Sequence, residues 1–183
     1  RALGLTVLPP DANASDYMFR AVDARTIRYG LGAIKGVGRG ACEAIVEERG
    51  RGGEFHDLLA FCRRVDATRL NRRVLEALIS GGALDTLAKN RATLMLQLPE
   101  ALKAADQIAR NREAGIVDMF GNVTSSGADD ITVDLPECEE WPPARLLQGE
   151  RDALGHYLSG HPLDAHRKEL LDLVGHDLGG LER

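Results

Sequence analysis

Ile34-Lys35-Gly36-Val37-Gly38-Arg39-Gly40-Ala41 decides the fold of this chain. Two glycines bracket one aliphatic residue, an apolar run beginning at Ile27 precedes them, and a helix-forming run from Ala41 to Glu48 follows. Gly36 and Gly38 suit a backbone with positive φ or a close approach that a Cβ would block. Val37, held between them, can plug into the flanking helices. Such a turn leaves bare N–H groups at the start of the next helix, where orphan donors and the helix dipole favour a phosphate. Lys35 and Arg39 flank those donors.

This is the pattern of a helix-hairpin-helix. A lone Gly-x-Gly would serve equally as a helix C-cap followed by a turn. The basic flanks, and a helix starting directly after the second glycine, turn the reading toward DNA, with Lys35, Gly36, Val37, Gly38, Arg39 and Gly40 as contacts. A dinucleotide-binding turn would need a strand before the glycines and an acidic residue about 20 positions on, closing a second strand. The segment that follows reads as helix instead.

The chain has 183 residues, enough for one domain with or without appendages. Aromatic residues make up only 4%, so the core must be aliphatic, and abundant Leu and Ala predict a mainly α fold. No apolar run approaches the roughly 18 residues of a membrane span. The start, Arg1-Ala2-Leu3-Gly4-Leu5, lacks an initiator Met and a signal-peptide layout, and reads as the edge of a fragment. Cys42, Cys62 and Cys138 form no C-x-x-C pair, which argues against disulfides or zinc and suits a reducing cytoplasm. His156 and His161 flank Gly160 with no cysteine near, and no metal site is expected.

The net charge of -5 hides a polarised distribution. Between Arg28 and Arg73 ten Lys/Arg face six Asp/Glu, whereas Glu113 to Pro143 holds eight acids and no base. A weakly basic module followed by an acidic tether is the consistent description.

Leu5 to Leu8 reads as a strand stopped by Pro9-Pro10, and Tyr17 to Val22 can pair with Thr26 to Tyr29 as a hairpin. Helices are expected from Ala41, from Phe55 to Cys62, and from Leu70 to Ser80 with Asp66 or Thr68 as N-cap. Asn71, Arg72 and Arg73 sit on the first turns of that last helix, where they can reach phosphates or form a merely solvated face. Ser80-Gly81-Gly82 repeats the shape of the first turn and leads into a helix carrying Leu84, Leu87, Leu94 and Leu98, broken near Lys89-Asn90. The pair predicts a tandem helix-hairpin-helix with an approximate two-fold, gripping both backbones across a minor groove. Ser80, Gly81 and Gly82 are candidate contacts, although the second turn lacks basic flanks and a structural role stays open. Pro99 to Glu113 is a further strong helix former.

Beyond it, Ile116-Val117-Asp118-Met119-Phe120 is an apolar peptide in an acidic, Ser/Gly-rich setting. It either folds back onto the module or binds a partner. Residues 141–183 carry two amphipathic helices separated by Gly160-His161-Pro162 and no obvious chemistry.

Several blocks together resemble the alpha subunit of bacterial DNA polymerase III, the C-family replicative polymerase. They include Val7-Leu8-Pro9-Pro10-Asp11, Tyr29 to Gly38, Leu70-Asn71-Arg72-Arg73-Val74-Leu75-Glu76, Asp118-Met119-Phe120-Gly121, and Glu150-Arg151-Asp152-Ala153-Leu154-Gly155-His156-Tyr157-Leu158-Ser159-Gly160-His161-Pro162. The resemblance implies that residues 1–29 end a fingers domain and 30–114 form the tandem helix-hairpin-helix that holds duplex DNA. It further implies that 115–140 carry the internal sliding-clamp motif in an acidic linker, and that 141–183 lead toward an OB-fold. Ile116, Val117, Asp118, Met119 and Phe120 are then the clamp contacts, and the partners are primer-template DNA, the beta sliding clamp and other holoenzyme subunits bound through regions outside this chain. The family's palm aspartates, with their Mg, lie upstream, so the chain carries no catalytic residue and no cofactor of its own. The clamp motif usually begins with Gln where Ile116 stands. Losing an amide hydrogen bond worth about 0.5–1.5 kcal/mol predicts a Kd up to about tenfold weaker. A helix-hairpin-helix repair glycosylase, with Asp57 beyond the hairpin, is the enzymatic rival, but no helical domain large enough for a base pocket precedes the turn. A protein-interaction module that uses its glycines only as caps is the other.

Overall fold

In the computed structural model the described residues are 4–113, 135–167 and 169. Three short strands open the chain: β1 (Thr6–Leu8), β2 (Arg20–Ala21) and β3 (Thr26–Arg28). Their order is β1-β3-β2. The β2–β3 hairpin is antiparallel as expected, while β1 joins parallel to β3, Val7 opposite Ile27, a pairing the sequence did not announce. Pro9 and Pro10 end β1 because neither can donate to a ladder. Buried Ser15 closes the connection by donating its hydroxyl to the Tyr29 carbonyl at 2.7 Å.

Among the described residues five α-helices follow: α1 (Arg39–Gly52), α2 (Leu58–Arg64), α3 (Arg72–Ser80), α4 (Arg91–Glu113) and α5 (Pro143–Leu154). The fold is mainly α. Its core is aliphatic, built from Leu31, Ile34, Ile45, Leu58, Leu75, Leu78, Ile79, Leu84, Leu94 and Leu98, with Phe55 and Phe61 in edge-to-face contact at 4.8 Å. Each such side chain contributes about 1.5–3 kcal/mol on burial.

Several boundaries differ from the sequence expectation. Phe55 is buried but precedes α2, which starts after Asp57, whose carboxylate accepts from the Ala60 N–H at 2.7 Å. The helix expected from Leu70 begins at Arg72, because Asn71 rather than Asp66 or Thr68 is its N-cap. Asp66 is engaged locally, accepting from the Thr68 N–H and hydroxyl at 2.9 and 2.7 Å, an Asx turn that competes with helix initiation. After the second glycine pair comes only a 3-10 turn, Asp85–Leu87. The two helices expected on either side of Pro99 are one helix of 23 residues with the proline inside. Burial of Leu94, Leu98 and Ala101 along one side offsets the about 3 kcal/mol that an interior proline costs.

Candidate nucleic-acid interface

The first turn is assembled from the inside outward. A single 3-10 turn, Leu31–Ala33, stands where a helix-hairpin-helix has its first arm. Leu31, Ile34, Val37 and Ala41 are buried beneath the loop, while Lys35, Gly36, Gly38, Arg39 and Gly40 are exposed above it. Gly36 has φ +87°, a conformation an L side chain resists. Gly38 has φ -75° and serves as the N-cap of α1, its carbonyl accepting from Ala41 and Cys42, and no side chain caps the helix. The first N–H groups of α1 have no intrahelical acceptor. Among the described residues, apart from chain neighbours and the backbone of α1 itself, no atom lies within 4 Å of a Cβ built on Gly38 or Gly40, so the approach to these donors is open.

The cations divide into two groups. Lys35 is exposed and, among the described residues, has no ion-pair partner. Arg39 pairs with Glu43 at 2.9 Å with both side chains largely exposed, and its guanidinium lies 5.4 Å from the Tyr17 ring centroid. Such an exposed i,i+4 pair is worth about 0.3–0.5 kcal/mol and is easily exchanged for a phosphate. Arg72 pairs with Glu76 at 2.8 Å in the same way. Arg73 precedes Ala77 by one turn on α3, and Ala77 Cβ lies 4.0 Å from where a Cβ on Gly36 would sit. One ridge of α3 therefore carries Arg73 alongside the first turn. Asn71 is spent otherwise, because its side chain accepts from the Val74 N–H at 3.0 Å.

Arg49 and Arg64, counted in the basic balance, face inward. Arg49 donates to the carbonyls of Ala12 and Ser15 at 2.8 and 2.9 Å. Arg64 closes the C-terminus of α1 through the carbonyls of Glu48, Gly53 and Glu54 and the Glu48 carboxylate.

The second turn, where Ser80, Gly81 and Gly82 are candidate contacts with a structural role left open, offers fewer free donors than the first. Gly81 and Gly82 are buried and Ser80 is half-buried. The N–H groups of Gly81, Gly82 and Ala83 already donate to Ala77, Ile79 and Leu78 at 2.8–3.0 Å. The Arg91 guanidinium fills the space where a Cβ on Gly82 would stand, and Leu154 of α5 covers Gly81. With one turn open and the other covered, the expected two-fold is not expressed in the two loops.

Residues 135–140, expected in the acidic linker, lie along the first turns of α4. The Cys138 carbonyl accepts from the Asn90 side chain at 2.9 Å and the Thr93 hydroxyl at 3.1 Å, and the Pro136 carbonyl from Gln97 at 3.1 Å. The Glu140 carboxylate accepts from the N–H groups of Arg91 and Ala92 at 3.1 and 3.0 Å, capping α4. Ile116, Val117, Asp118, Met119 and Phe120 lie outside the described residues. Among the described residues no set of His, Cys, Asp and Glu is arranged to hold a metal, and no helix is long and apolar enough to cross a membrane.

Comparison with known proteins agrees with this geometry. The family model described as a helix-hairpin-helix motif matches residues 4–94. DNA polymerase III subunit alpha of Xylella fastidiosa (strain Temecula1) is 57% identical over 100% of this chain and 15% of its own length. The proteins of that name from Escherichia coli K12 and Pseudomonas aeruginosa are 49% and 42% identical, over 94% and 93% of the chain and 15% and 16% of their own lengths. The chain belongs to the DNA polymerase III alpha-subunit family. It spans about 15% of the length of the first relatives it matches.

Within this segment of the alpha-subunit family, sequence reasoning missed Arg91 and Glu150. Arg91 grips Asp85 with two nitrogens at 2.8 and 2.9 Å and reaches Glu150 at 3.2 Å. Their signal was the placement of two charged residues inside otherwise apolar helical stripes, where a charge without a partner is costly.

Proposed function

We propose that this chain is the duplex-holding and clamp-tethering segment of a DNA-directed DNA polymerase, the DNA polymerase III alpha subunit, acting in DNA replication in the cytoplasm. The observation that carries the reading is the uncapped, exposed N-terminus of α1, whose donors sit between Lys35 and Arg39 on a buried apolar base. A phosphate fits there by charge and by hydrogen bonding. Arg72 and Arg73 extend the cationic edge. Donors of this kind reach the DNA backbone and not the bases, so the grip carries no sequence information. The chain holds and does not catalyse; bond formation belongs to the palm aspartates that the resemblance places upstream.

The clamp role rests on the family resemblance of residues 116–120, with Met119 and Phe120 as apolar anchors and Ile116 weakening the peptide. Two titrations test the halves separately. Full-length protein should bind unrelated duplexes of equal length with equal affinity and lose that affinity steeply with salt; strong preference for one sequence would overturn the DNA half. Met119→Ala with Phe120→Ala should abolish binding of the beta sliding clamp and leave DNA binding intact. Survival of clamp binding would overturn the motif.

A further inference from the structure

α5 touches both glycine turns. Midway along the helix, a Cβ on Gly149 would lie 3.5 Å from the Ser80 carbonyl oxygen. Four residues later, on the same stripe of the helix, the Ala153 carbonyl accepts the Lys35 N–H at 2.8 Å. The next carbonyl, Leu154, accepts from the Tyr29 hydroxyl at 3.3 Å. α5 then stops at Gly155, whose φ is +84°, and a Cβ there would stand 3.9 Å from both Cε and Nζ of Lys35. Carbonyls at a helix C-terminus lack intrahelical donors and carry the negative end of the dipole. Here the Ala153 carbonyl holds the main chain of Lys35, and Gly155 lies beside its ammonium.

The orientation of α5 is set from within by Glu150. Its Oε2 accepts from the N–H groups of Leu158 and Ser159 at 2.8 and 3.0 Å, and its Oε1 from Arg91 at 3.2 Å. Arg91 in turn donates to the Ser80 carbonyl at 3.3 Å.

We infer that Glu150 is a positioning residue for the phosphate site: through α5 it pins the main chain of Lys35 and so holds Lys35 in register with the donors of Gly38 to Gly40. This rests on the phosphate reading of the first turn given above. It makes residues 143–155 part of the duplex-holding unit and not a spacer behind it.

The test is a double-mutant comparison in the full-length protein, reading the duplex Kd and the slope of log Kd against log salt, with thermal melting alongside. Lys35→Ala should leave about one phosphate without its cation, a slope change of about 0.9. Glu150→Ala should produce the same slope change while leaving a cooperative melt, and the double variant should be no weaker than the weaker single. Should Glu150→Ala fail to fold, Glu150→Gln, which keeps the size of the side chain but replaces one of the two acceptor oxygens that hold Arg91, Leu158 and Ser159, makes the same comparison. Additive losses, or an unchanged slope in a folded α5 variant, overturn the inference. No change in Lys35→Ala itself overturns the phosphate reading and this inference with it.

Discussion

Nη1 of Arg91 meets Oε1 of Glu150 at 3.2 Å in the interior, with the Glu150 side chain 1% exposed. Removing Glu150 leaves Arg91 held by Asp85 but deprives the Leu158 and Ser159 N–H groups of their acceptor, and Glu150→Ala is expected to cost about 1–3 kcal/mol in urea unfolding. Burial pushes the Glu150 carboxyl up, but the N–H groups of Ser159 and Leu158 and the Arg91 guanidinium outweigh it, and its pKa ends below the ordinary value. A depressed folded-state pKa gives stability that is fully present above the unfolded value, about 4.3, and lost as pH falls through the folded one. Melting temperatures from pH 7 to pH 3 should therefore fall for the native protein, and fall less for Glu150→Gln.

Pro99 sits inside α4 and deprives the Met95 carbonyl of its usual donor. Pro99→Ala should restore that bond and stabilise the protein by up to about 3 kcal/mol, read as a higher melting temperature. A fall would mean that the local geometry around the proline is itself required by the packing.

The open turn was legible because its residues are contiguous: glycines, one plug and two cations within eight positions. Helix content followed from the Leu and Ala pattern for the same local reason. What was not legible depended on partners far away in sequence. Ser80-Gly81-Gly82 looks like a second open turn until Arg91 and Leu154 cover it, and Arg49 and Arg64 look like surface bases until the carbonyls they cap are known. The strap at 136–140 was hidden too, since its bonds run 39 to 49 residues back, to Gln97, Thr93, Asn90 and Arg91. β1 joined β3 across an interval that no hairpin signal marks.

The three exposed glycines of the first turn should separate stability from binding. Gly36→Ala forces a side chain into φ +87° and should destabilise by about 1–3 kcal/mol. Gly40→Ala lies in the first turn of α1 with open space around it and should stabilise by about 0.5–1 kcal/mol. Gly38→Ala puts a poorer cap on α1 and should cost up to about 1 kcal/mol, yet weaken duplex binding as well, because its methyl stands before the donors. Chemical unfolding and DNA titration of the three variants check this.

Burial pushes the Cys42 thiol up to about 11 and the Cys62 thiol up to about 12. Since the thiolate is the reactive form, neither should be alkylated at pH 8 in the native state, whereas half-buried Cys138 should react first. Mass-spectrometric mapping after brief iodoacetamide treatment reads the order, and alkylation of Cys42 or Cys62 should appear only on unfolding.

A phosphate-binding first turn stands or falls on the salt dependence of duplex binding by native protein and by Lys35→Ala with Arg39→Ala, measured on two unrelated sequences. The double variant should bind both more weakly and to the same extent, and its slope against log salt should be shallower by about 1.8, at about 0.9 for each phosphate no longer neutralised. An unchanged slope, or a weakening confined to one sequence, would contradict phosphate binding at this turn.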